Sequence, residues 1–216
     1  MTQVGTIGTG SPVSVRHKAK RGVDVTVAAC MLLVTAPAML LIAAAIRLTS
    51  RGPALFRQAR VGHHGESFSM LKFRTMADGT HEAVLACDVA HGEYARNAFK
   101  LPPDDPRITR VGRFLRATSL DELPQMINVL RGEMSIVGVR PVERAQLLLR
   151  PPYVQDAYRS MRPGLTGLWQ TSGRSSLSQQ ERDALDVDYV ENWSPTGDIR
   201  IILRTPAAMI RTHETH

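Results

Sequence analysis

The sequence predicts a mostly helical α+β protein, with a compact cytoplasmic domain that follows one N-terminal re-entrant membrane helix. Residues 25–46 carry no charge, and a helix of about 22 residues matches the thickness of a bilayer's hydrocarbon core. Short extended segments lie between residues 54 and 76, and helical patterns dominate after residue 108. A chain of 216 residues supports a single globular domain and little more.

The apolar segment has basic residues at both ends. Arg16, Lys18, Lys20 and Arg21 precede it, and Arg47, Arg51, Arg57 and Arg60 follow it. Because basic flanks favour the cytoplasmic side, both ends are expected there. Pro37 lies near the middle and removes a backbone donor, so we predict a helix that breaks and returns to the same face, with the hydroxyl of Thr35 as one partner for the freed backbone. A buried core helix or a cleaved signal peptide is disfavoured, because the apolar run is long and continues past residues 36–38.

The rest of the chain divides into a tail and a domain. Residues 1–15 are predicted to be a disordered tail, residues 16–50 the membrane segment with its flanks, and residues 51–211 the cytoplasmic domain. A hairpin is expected from residues 54–56 and 67–70, which flank a glycine-containing turn at 62–65. Residues 77–100 form a polar segment without metal-site spacing, and the prolines of 101–107 predict a connector. Helices are expected at 109–117, 120–130, 142–150, 178–192 and 198–211.

Composition limits the partners. Lysine and arginine total 27 against 20 acidic residues, and the resulting charge of +7 favours an anionic partner: nucleic acid, an acidic membrane face or a phosphorylated substrate. Aromatic residues make up only 5% of the chain, which argues against nucleic acid. Cys30 and Cys87 are no disulfide framework, so a reducing, cytoplasmic setting is expected.

Two adjacent carboxylates, Asp121 and Glu122, follow Arg113 and Arg116 at a predicted helix start. A purely structural interpretation is available, because Ser119 and Glu122 fit a capping box. A carboxylate at a helix start is also stabilised in its ionised form, and arginine forks bind phosphate oxygens. Carboxylate, divalent ion and surrounding positive charge together are what phosphoryl transfer requires.

A second basic motif spans residues 72–76 and contains Lys72 and Arg74. These cations could join the phosphate clamp if the fold brings them near Asp121. An edge strand with solvated cations explains the motif equally well.

Ordered motifs along the chain resemble the bacterial sugar transferase family, the monotopic phosphoglycosyl transferases. The motifs that carry the resemblance lie at residues 20–21, 52–62, 72–76, 105–107, 119–125, 128–132, 134–141, 163–170, 173–174 and 188–194. They span nearly the whole chain, from Lys20 to about Thr205.

This resemblance implies a reaction and a site. A sugar 1-phosphate would move from a UDP-sugar to polyprenyl (undecaprenyl) phosphate, releasing UMP, through a covalent intermediate on Asp121. Asp121 and Glu122 would be the catalytic pair and would hold Mg²⁺. The expected substrate-binding residues are Lys72, Arg74, Arg113, Arg116, Arg140 and Arg174. Lys20, Arg21 and Pro37 would belong to the membrane element.

The same resemblance implies a setting and shows two departures. The enzyme would act at the cytoplasmic face of the bacterial inner membrane in exopolysaccharide or glycoconjugate synthesis, in contact with membrane lipid and not with nucleic acid; a homodimer is compatible with the sequence. Val139 stands where the family usually has proline, which is expected to loosen the turn before Arg140. Ala36 stands where the family often has serine before Pro37.

Two other functions remain open at this point. A basic membrane-anchored module could bind anionic lipid or nucleic acid, but it has no need of Asp121 and Glu122 among its arginines. A metal-dependent phosphatase acting on a lipid pyrophosphate would share the charges but release inorganic phosphate. The identity of the sugar is not encoded in any pattern of this one sequence.

Overall fold

The computed structural model describes residues 12–77, 105–173 and 177–211, with side chains from residue 18 to residue 208 of these ranges. The expectations for residues 1–11, for most of the polar segment and connector at 78–104, and for Arg174 therefore lie outside the described residues.

Helices predominate among the described elements, and the predicted mostly helical α+β class is confirmed. The helices are α1 (Pro12–Thr49), α2 (Arg110–Thr118), α3 (Gln125–Arg131), α4 (Arg144–Leu148), α5 (Pro152–Ser160), α6 (Leu168–Ser172), α7 (Gln179–Glu191) and α8 (Pro195–Arg211). The strands are β1 (Leu55–Val61), β2 (Ser67–Phe73), β3 (Ser135–Val137) and β4 (Gly164–Thr166). Short 3₁₀ turns lie at His63–Gly65 and Leu120–Glu122.

Helix α1 is continuous through Pro37, so the predicted break is absent from the helix itself. The uniformly apolar sequence keeps the flanking turns helical, and a single proline removes only one ladder bond. The hydroxyl of Thr35 donates to the carbonyl of Met31, at 2.7 Å, rather than to the carbonyl of Leu33 that Pro37 leaves without its usual donor. Helix α1 also begins at Pro12, inside the segment expected to be a tail.

One face of α1 packs along the domain, and the other is exposed. Residues at a spacing of three or four are buried or half-buried: Asp24, Ala28, Leu32, Thr35, Met39, Ile42 and Ile46. On the opposite face Leu33 and Leu40 are 80% and 72% exposed. The segment Lys18–Thr49 is long and apolar enough to cross a membrane. An exposed apolar face of this size is the surface that a lipid environment would cover.

The predicted hairpin is confirmed and is longer than expected. Strands β1 and β2 pair antiparallel from Leu55↔Phe73 to Val61↔Ser67. Lys72 lies opposite Phe56.

A second, two-stranded sheet was not predicted. Strands β3 and β4 pair parallel, with Val137 opposite Thr166. Their backbones approach so closely that a Cβ on Gly164 would lie 2.0 Å from the backbone nitrogen of Gly138. Only glycine fits at these two positions. In the sequence the two glycines belong to separate motifs, and nothing in either motif indicates that they meet.

Three apolar clusters hold these elements together, and α1 contributes to two of them. Ala28 joins Met70, Val129 and Ile201 in the largest cluster. Ile46 packs with Phe73 and Leu115 in another. Helix α1 is therefore part of the folded domain along most of its length.

Candidate active site

Asp121 and Glu122 lie in the 3₁₀ turn between α2 and α3. The flanking side chains, Leu120 and Leu123, pack against the cluster of Ile46, Phe73 and Leu115. These apolar anchors hold the turn from both sides, so the carboxylates between them have a defined position.

The predicted capping box at Ser119 is wrong. Ser119 has φ = 55°, a left-handed conformation that ends α2, and its side chain makes no capping hydrogen bond to the turn. The predicted helix at 120–130 is instead a short turn followed by α3, because Pro124 fits the start of a helix and not its interior. The structural interpretation of Glu122 as a capping residue is thereby removed.

Lys72 and Arg116 bring positive charge to the carboxylates. The Nζ atom of Lys72, at the end of β2, lies 3.1 Å from Oε1 of Glu122. Burial, and to a smaller extent the charge of Glu122, raise the pKa of Asp121 to about 6, although the charges of Lys72 and Arg116 oppose the rise. The expectation that a helix start would favour ionisation of Asp121 is thus overturned by desolvation and by the adjacent charge. Asp121 is still largely ionised at neutral pH, since this pKa lies about one unit below it.

Arg116 has a donor without an acceptor. Its Nη1 atom is buried and has no hydrogen-bond partner in the described part of the chain. A buried guanidinium N–H usually has a partner, so this donor is available to a phosphate oxygen of a substrate.

The two carboxylates fit a hard divalent cation. Mg²⁺ prefers oxygen ligands and is commonly bound by one or two carboxylates together with substrate phosphates and water. The charge of Glu122 opposes the ionisation of Asp121, and a cation would relieve that repulsion. Within residues 12–77, 105–173 and 177–211 there is no group of three or more His, Cys, Asp or Glu residues suited to a metal. The remaining ligands would therefore come from the substrate and water.

Arg74, predicted to bind substrate, is 6% exposed and donates to the main chain. Its Nη1 atom donates to the carbonyl of Arg51, and its Nη2 atom lies 2.8 Å from Oγ of Ser50 and 3.1 Å from the Ser50 carbonyl. These bonds join β2 to the chain that leaves α1. Arg74 therefore holds the C-terminal end of α1 beside the strand that carries Lys72.

Arg113 and Arg140 do not contact the carboxylates in the described structure. Arg113 is exposed on α2 and makes no side-chain hydrogen bond or ion pair there. Arg140 is exposed and lies 5.9 Å from the ring of Trp169. Val139 is 1% exposed in an apolar cluster with Val61 and Tyr158, and its carbonyl accepts from Gly164 at 2.8 Å. The turn before Arg140 is therefore packed and hydrogen-bonded despite the missing proline.

Two side chains in the N-terminal part of α1 bind the domain. Arg21 donates to the carbonyls of Val129 and Leu130, at 2.5 and 2.9 Å, and so caps the C-terminus of α3. Lys20 forms an ion pair with Asp198, at 2.5 Å. Both residues, predicted as membrane-flanking cations, are engaged by the protein.

Two buried residues that hold elements of the site in place were not predicted from the sequence. The buried carboxylate of Asp24 accepts from Ser135 Oγ at 2.8 Å and from the N–H of Ile136 at 2.9 Å. The fully buried Asn128 donates to the Ser69 carbonyl at 2.8 Å and accepts from the N–H of Leu71 at 3.0 Å, so it locks α3 to β2 beside Lys72. The only signal for Asp24 was an acid directly before an apolar run, where burial requires a partner.

Known proteins match this chain over nearly its whole length. Residues 15–212 match the bacterial sugar transferase family. The exopolysaccharide production protein ExoY of Rhizobium meliloti is 44% identical over 204 residues, which are 93% of this chain and 89% of ExoY. The UDP-glucose:undecaprenyl-phosphate glucose-1-phosphate transferase of Caulobacter vibrioides is 42% identical over 226 aligned positions, covering 100% of this chain and 79% of that protein.

A third relative is larger. The undecaprenyl-phosphate galactose phosphotransferase of Salmonella typhimurium is 41% identical over 198 residues, which are 89% of this chain and 40% of that protein. The family match spans most of the chain, and this chain covers most of the length of the first two relatives. The chain is an enzyme that belongs to the bacterial sugar transferase family.

Proposed function

We propose that the protein transfers a sugar 1-phosphate from a UDP-sugar to undecaprenyl phosphate, with release of UMP. The observation that supports this most directly is the half-buried pair Asp121 and Glu122 with Lys72 at 3.1 Å and the charge of Arg116 close by. The Caulobacter and Salmonella relatives are named for undecaprenyl-phosphate transfer of glucose 1-phosphate and of galactose, respectively. A basic lipid-binding or nucleic-acid-binding module would not need this half-buried acidic pair.

The first half-reaction begins at Asp121. A carboxylate oxygen attacks the β-phosphorus of the UDP-sugar, the bond from that phosphorus to the bridging oxygen breaks, and UMP leaves with the electron pair. Lys72 and Arg116 stabilise the negative charge that develops on the phosphoryl oxygens. Mg²⁺, when bound, would supply further neutralisation of these oxygens. The product is a sugar phosphate joined to Asp121 as an acyl phosphate.

In the second half-reaction an oxygen of undecaprenyl phosphate attacks the same phosphorus. The bond to Asp121 breaks, the carboxylate is restored, and undecaprenyl diphosphosugar leaves. Glu122 forms an ion pair with Lys72 and would be the second ligand for the cation. The sugar itself is not specified by these groups, since all of them act on the phosphates.

The lipid substrate requires a site at the membrane surface. Helix α1 is attached to the domain at its base through Arg21 and Asp24 and near its other end through Ile46. Both ends of the apolar segment therefore lie against one folded body, which supports our proposal that both face the cytoplasm and that α1 does not cross the bilayer. Its exposed apolar face would contact lipid, with the active site at the cytoplasmic face of the inner membrane.

A single-turnover experiment tests the chemistry. Purified protein in detergent is mixed with Mg²⁺ and UDP-glucose or UDP-galactose labelled in the sugar, without lipid. About one UMP per active site should appear in a burst, and the protein should retain the label. Addition of undecaprenyl phosphate should discharge the label into lipid and start steady turnover.

Asp121→Asn should abolish both labelling and turnover. The matched control is Asp156→Asn, which changes a surface carboxylate whose side chain is 80% exposed and should label like the wild type. If the wild type never labels and UMP appears only when both substrates are present, direct transfer replaces the covalent mechanism. Release of inorganic phosphate instead of UMP would identify a phosphatase.

A further inference from the structure

Asn128 on α3 takes the place of a third strand beside β2. Its Oδ1 atom accepts from the N–H of Leu71 at 3.0 Å, and its Nδ2 atom donates to the carbonyl of Ser69 at 2.8 Å. Alternate residues of a strand point their backbone groups to the same edge, and β1 is paired along the other edge of β2. The carboxamide of Asn128 therefore binds the free edge of β2 as a peptide group of a neighbouring strand would.

Glu133 fixes the orientation of this carboxamide. Gly132 caps α3 with φ = 83°, and this turn lets the N–H of Glu133 donate to the Asn128 carbonyl at 3.0 Å. The Glu133 side chain returns to the same residue, where its Oε2 atom accepts from Asn128 Nδ2 at 2.6 Å. Both N–H donors of the amide thus have oxygen acceptors. A flipped amide would set Nδ2 against the Leu71 N–H and Oδ1 against two oxygen atoms, so one orientation is strongly favoured.

These bonds connect the two parts of the chain that carry Lys72 and Glu122. Lys72 directly follows Leu71 in β2. The 3₁₀ turn that contains Glu122 continues into α3 through the hydrogen bond from the Met126 N–H to the Leu123 carbonyl, at 3.1 Å. A movement of α3 relative to β2 would therefore move Glu122 relative to Lys72, whose Nζ atom lies 3.1 Å from Oε1 of Glu122.

Apolar contacts also join α3 to β2, but they do not define one register. Met70 of β2 and Val129 of α3 belong to the same buried cluster. Contacts of this kind are not directional, whereas three hydrogen bonds to a fully buried amide fix both position and orientation. A displacement of about 1 Å at a reacting site can cost about 10²-fold in rate. The separation of Lys72 from Glu122 is therefore a property that Asn128 can control.

We propose that Asn128, oriented by Glu133, is a positioning residue for the transfer reaction and holds Lys72 where its ammonium group meets the phosphoryl oxygens. This inference rests on the proposed function, because it assumes phosphoryl transfer at Asp121. Asn128 touches neither substrate and acts through Lys72. Its loss should lower the rate of transfer and leave donor affinity nearly unchanged, since the charge that Lys72 stabilises develops in the transition state.

The first test compares Asn128→Ala with the wild type by UMP release from UDP-glucose or UDP-galactose in the presence of undecaprenyl phosphate, at a temperature where circular dichroism shows both proteins folded. The kcat should fall about tenfold or more, with the KM for the UDP-sugar within about twofold of the wild-type value. The structural control is Thr205→Val, which removes the 2.8 Å hydroxyl contact between α8 and Thr166 of β4 and should lower Tm without changing kcat. A lower Tm with unchanged kcat in Asn128→Ala would mean that Asn128 is structural only, and the proposal would be wrong.

A kinetic double-mutant cycle tests whether the effect passes through Lys72. In a Lys72→Met background, Asn128→Ala should change kcat by less than about twofold, because the group that Asn128 positions is already absent. If the two losses multiply in full, Asn128 acts on some other group and the proposal is contradicted.

Glu133 gives the same test if Asn128→Ala does not fold. Glu133→Ala removes the acceptor at 2.6 Å and should lower kcat about threefold or more. Glu133→Gln keeps a side-chain oxygen that accepts from Asn128, so its kcat should lie within about twofold of the wild-type value. Equal kcat in Glu133→Ala and the wild type would overturn the proposal.

The positioning role and the proposed function fail differently. The Lys72–Glu122 ion pair can be measured without catalysis, as the non-additivity of the Tm changes in Lys72→Met and Glu122→Gln, and this coupling should disappear in Asn128→Ala. If UMP is released normally and neither kcat nor the coupling responds to Asn128→Ala, the positioning role is wrong and the proposed function stands. If the coupling disappears but the wild type releases UMP from no UDP-sugar, the positioning of Lys72 by Asn128 stands and the proposed reaction is wrong.

Discussion

Replacing Asp24 with alanine tests whether helix α1 is an integral part of the fold. Asp24 is 4% exposed, and its carboxylate accepts from Ser135 Oγ at 2.8 Å and from the Ile136 N–H at 2.9 Å. A hydrogen bond to a charged group contributes about 1.5–3 kcal/mol, and removing the buried carboxylate returns part of its desolvation penalty. The expected net loss for Asp24→Ala is about 2–4 kcal/mol. For a chain of this size that corresponds to a fall in Tm of roughly 5–15 °C.

The assay is thermal unfolding in detergent or nanodiscs, with a control on the same helix. Thr26→Ala removes an exposed hydroxyl that bonds only within α1, to the carbonyl of Gly22 at 3.0 Å, and should stay within about 0.5 kcal/mol of the wild type. A double-mutant cycle of Asp24→Ala with Ser135→Ala should give a coupling of about 1 kcal/mol. An Asp24→Ala protein that melts with the wild type, or a cycle that is additive, would refute the docking of α1 through this carboxylate.

Four further predictions follow from the same contacts. Lys72→Met should lower kcat/KM for UMP release about tenfold or more, because it removes the cation 3.1 Å from Glu122, and an unchanged rate would exclude Lys72 from the site. Arg74→Lys should lower the free energy of unfolding by about 2 kcal/mol without raising the KM for the UDP-sugar, because the Arg74 guanidinium donates to the Ser50 carbonyl and hydroxyl rather than to substrate. A raised KM with an unchanged Tm would indicate that Arg74 binds substrate instead. Chelation with EDTA should stop UMP release and Mg²⁺ should restore it, whereas full activity in EDTA would contradict a metal at Asp121 and Glu122. Single cysteines at the exposed positions Lys18 and Thr49, in a variant without Cys30 and Cys87, should both resist an impermeant thiol reagent in intact cells and react after permeabilisation; labelling of one from outside would mean a spanning helix.

The fold decides which positions near the ends of α1 can report its topology. From the flanks alone, any residue close to the end of the apolar run is an equally good reporter. In the structure Ser50 is half-buried and bonded to Arg74, at 2.8 Å, so a cysteine there would resist labelling whichever side it faced. Thr49, one position earlier, is exposed and reports topology without that ambiguity.

Local sequence patterns were sufficient to predict many of the helices and strands. The apolar helix could be predicted from the uncharged run at 25–46, because its length and hydropathy are properties of contiguous residues. The hairpin and the helices at α2, α7 and α8 follow from turn residues, caps and periodicity within short windows. The adjacent acids Asp121 and Glu122 are likewise visible as neighbours in the chain.

Short elements stabilised by distant contacts were not predictable in this way. Strands β3 and β4 have three residues each and exist through their pairing with each other and the close approach of Gly138 and Gly164. Helices α5 and α6 are flanked by prolines and glycines that read locally as loop. Tertiary packing supplied the stability that local propensity did not.

By itself, the sequence determined the long apolar helix, the mostly helical class, the position of the acidic pair and the likeness to bacterial sugar transferases, because each depends on residue identity or near neighbours. The tertiary structure alone decided which charges meet. It brought Lys72 to Glu122 across 50 positions of sequence, turned Arg74 to the backbone at the end of α1, and placed Arg140 beside Trp169. A side chain's partners depend on burial and on which segments pack together, and neither is contained in the local pattern that makes the residue visible.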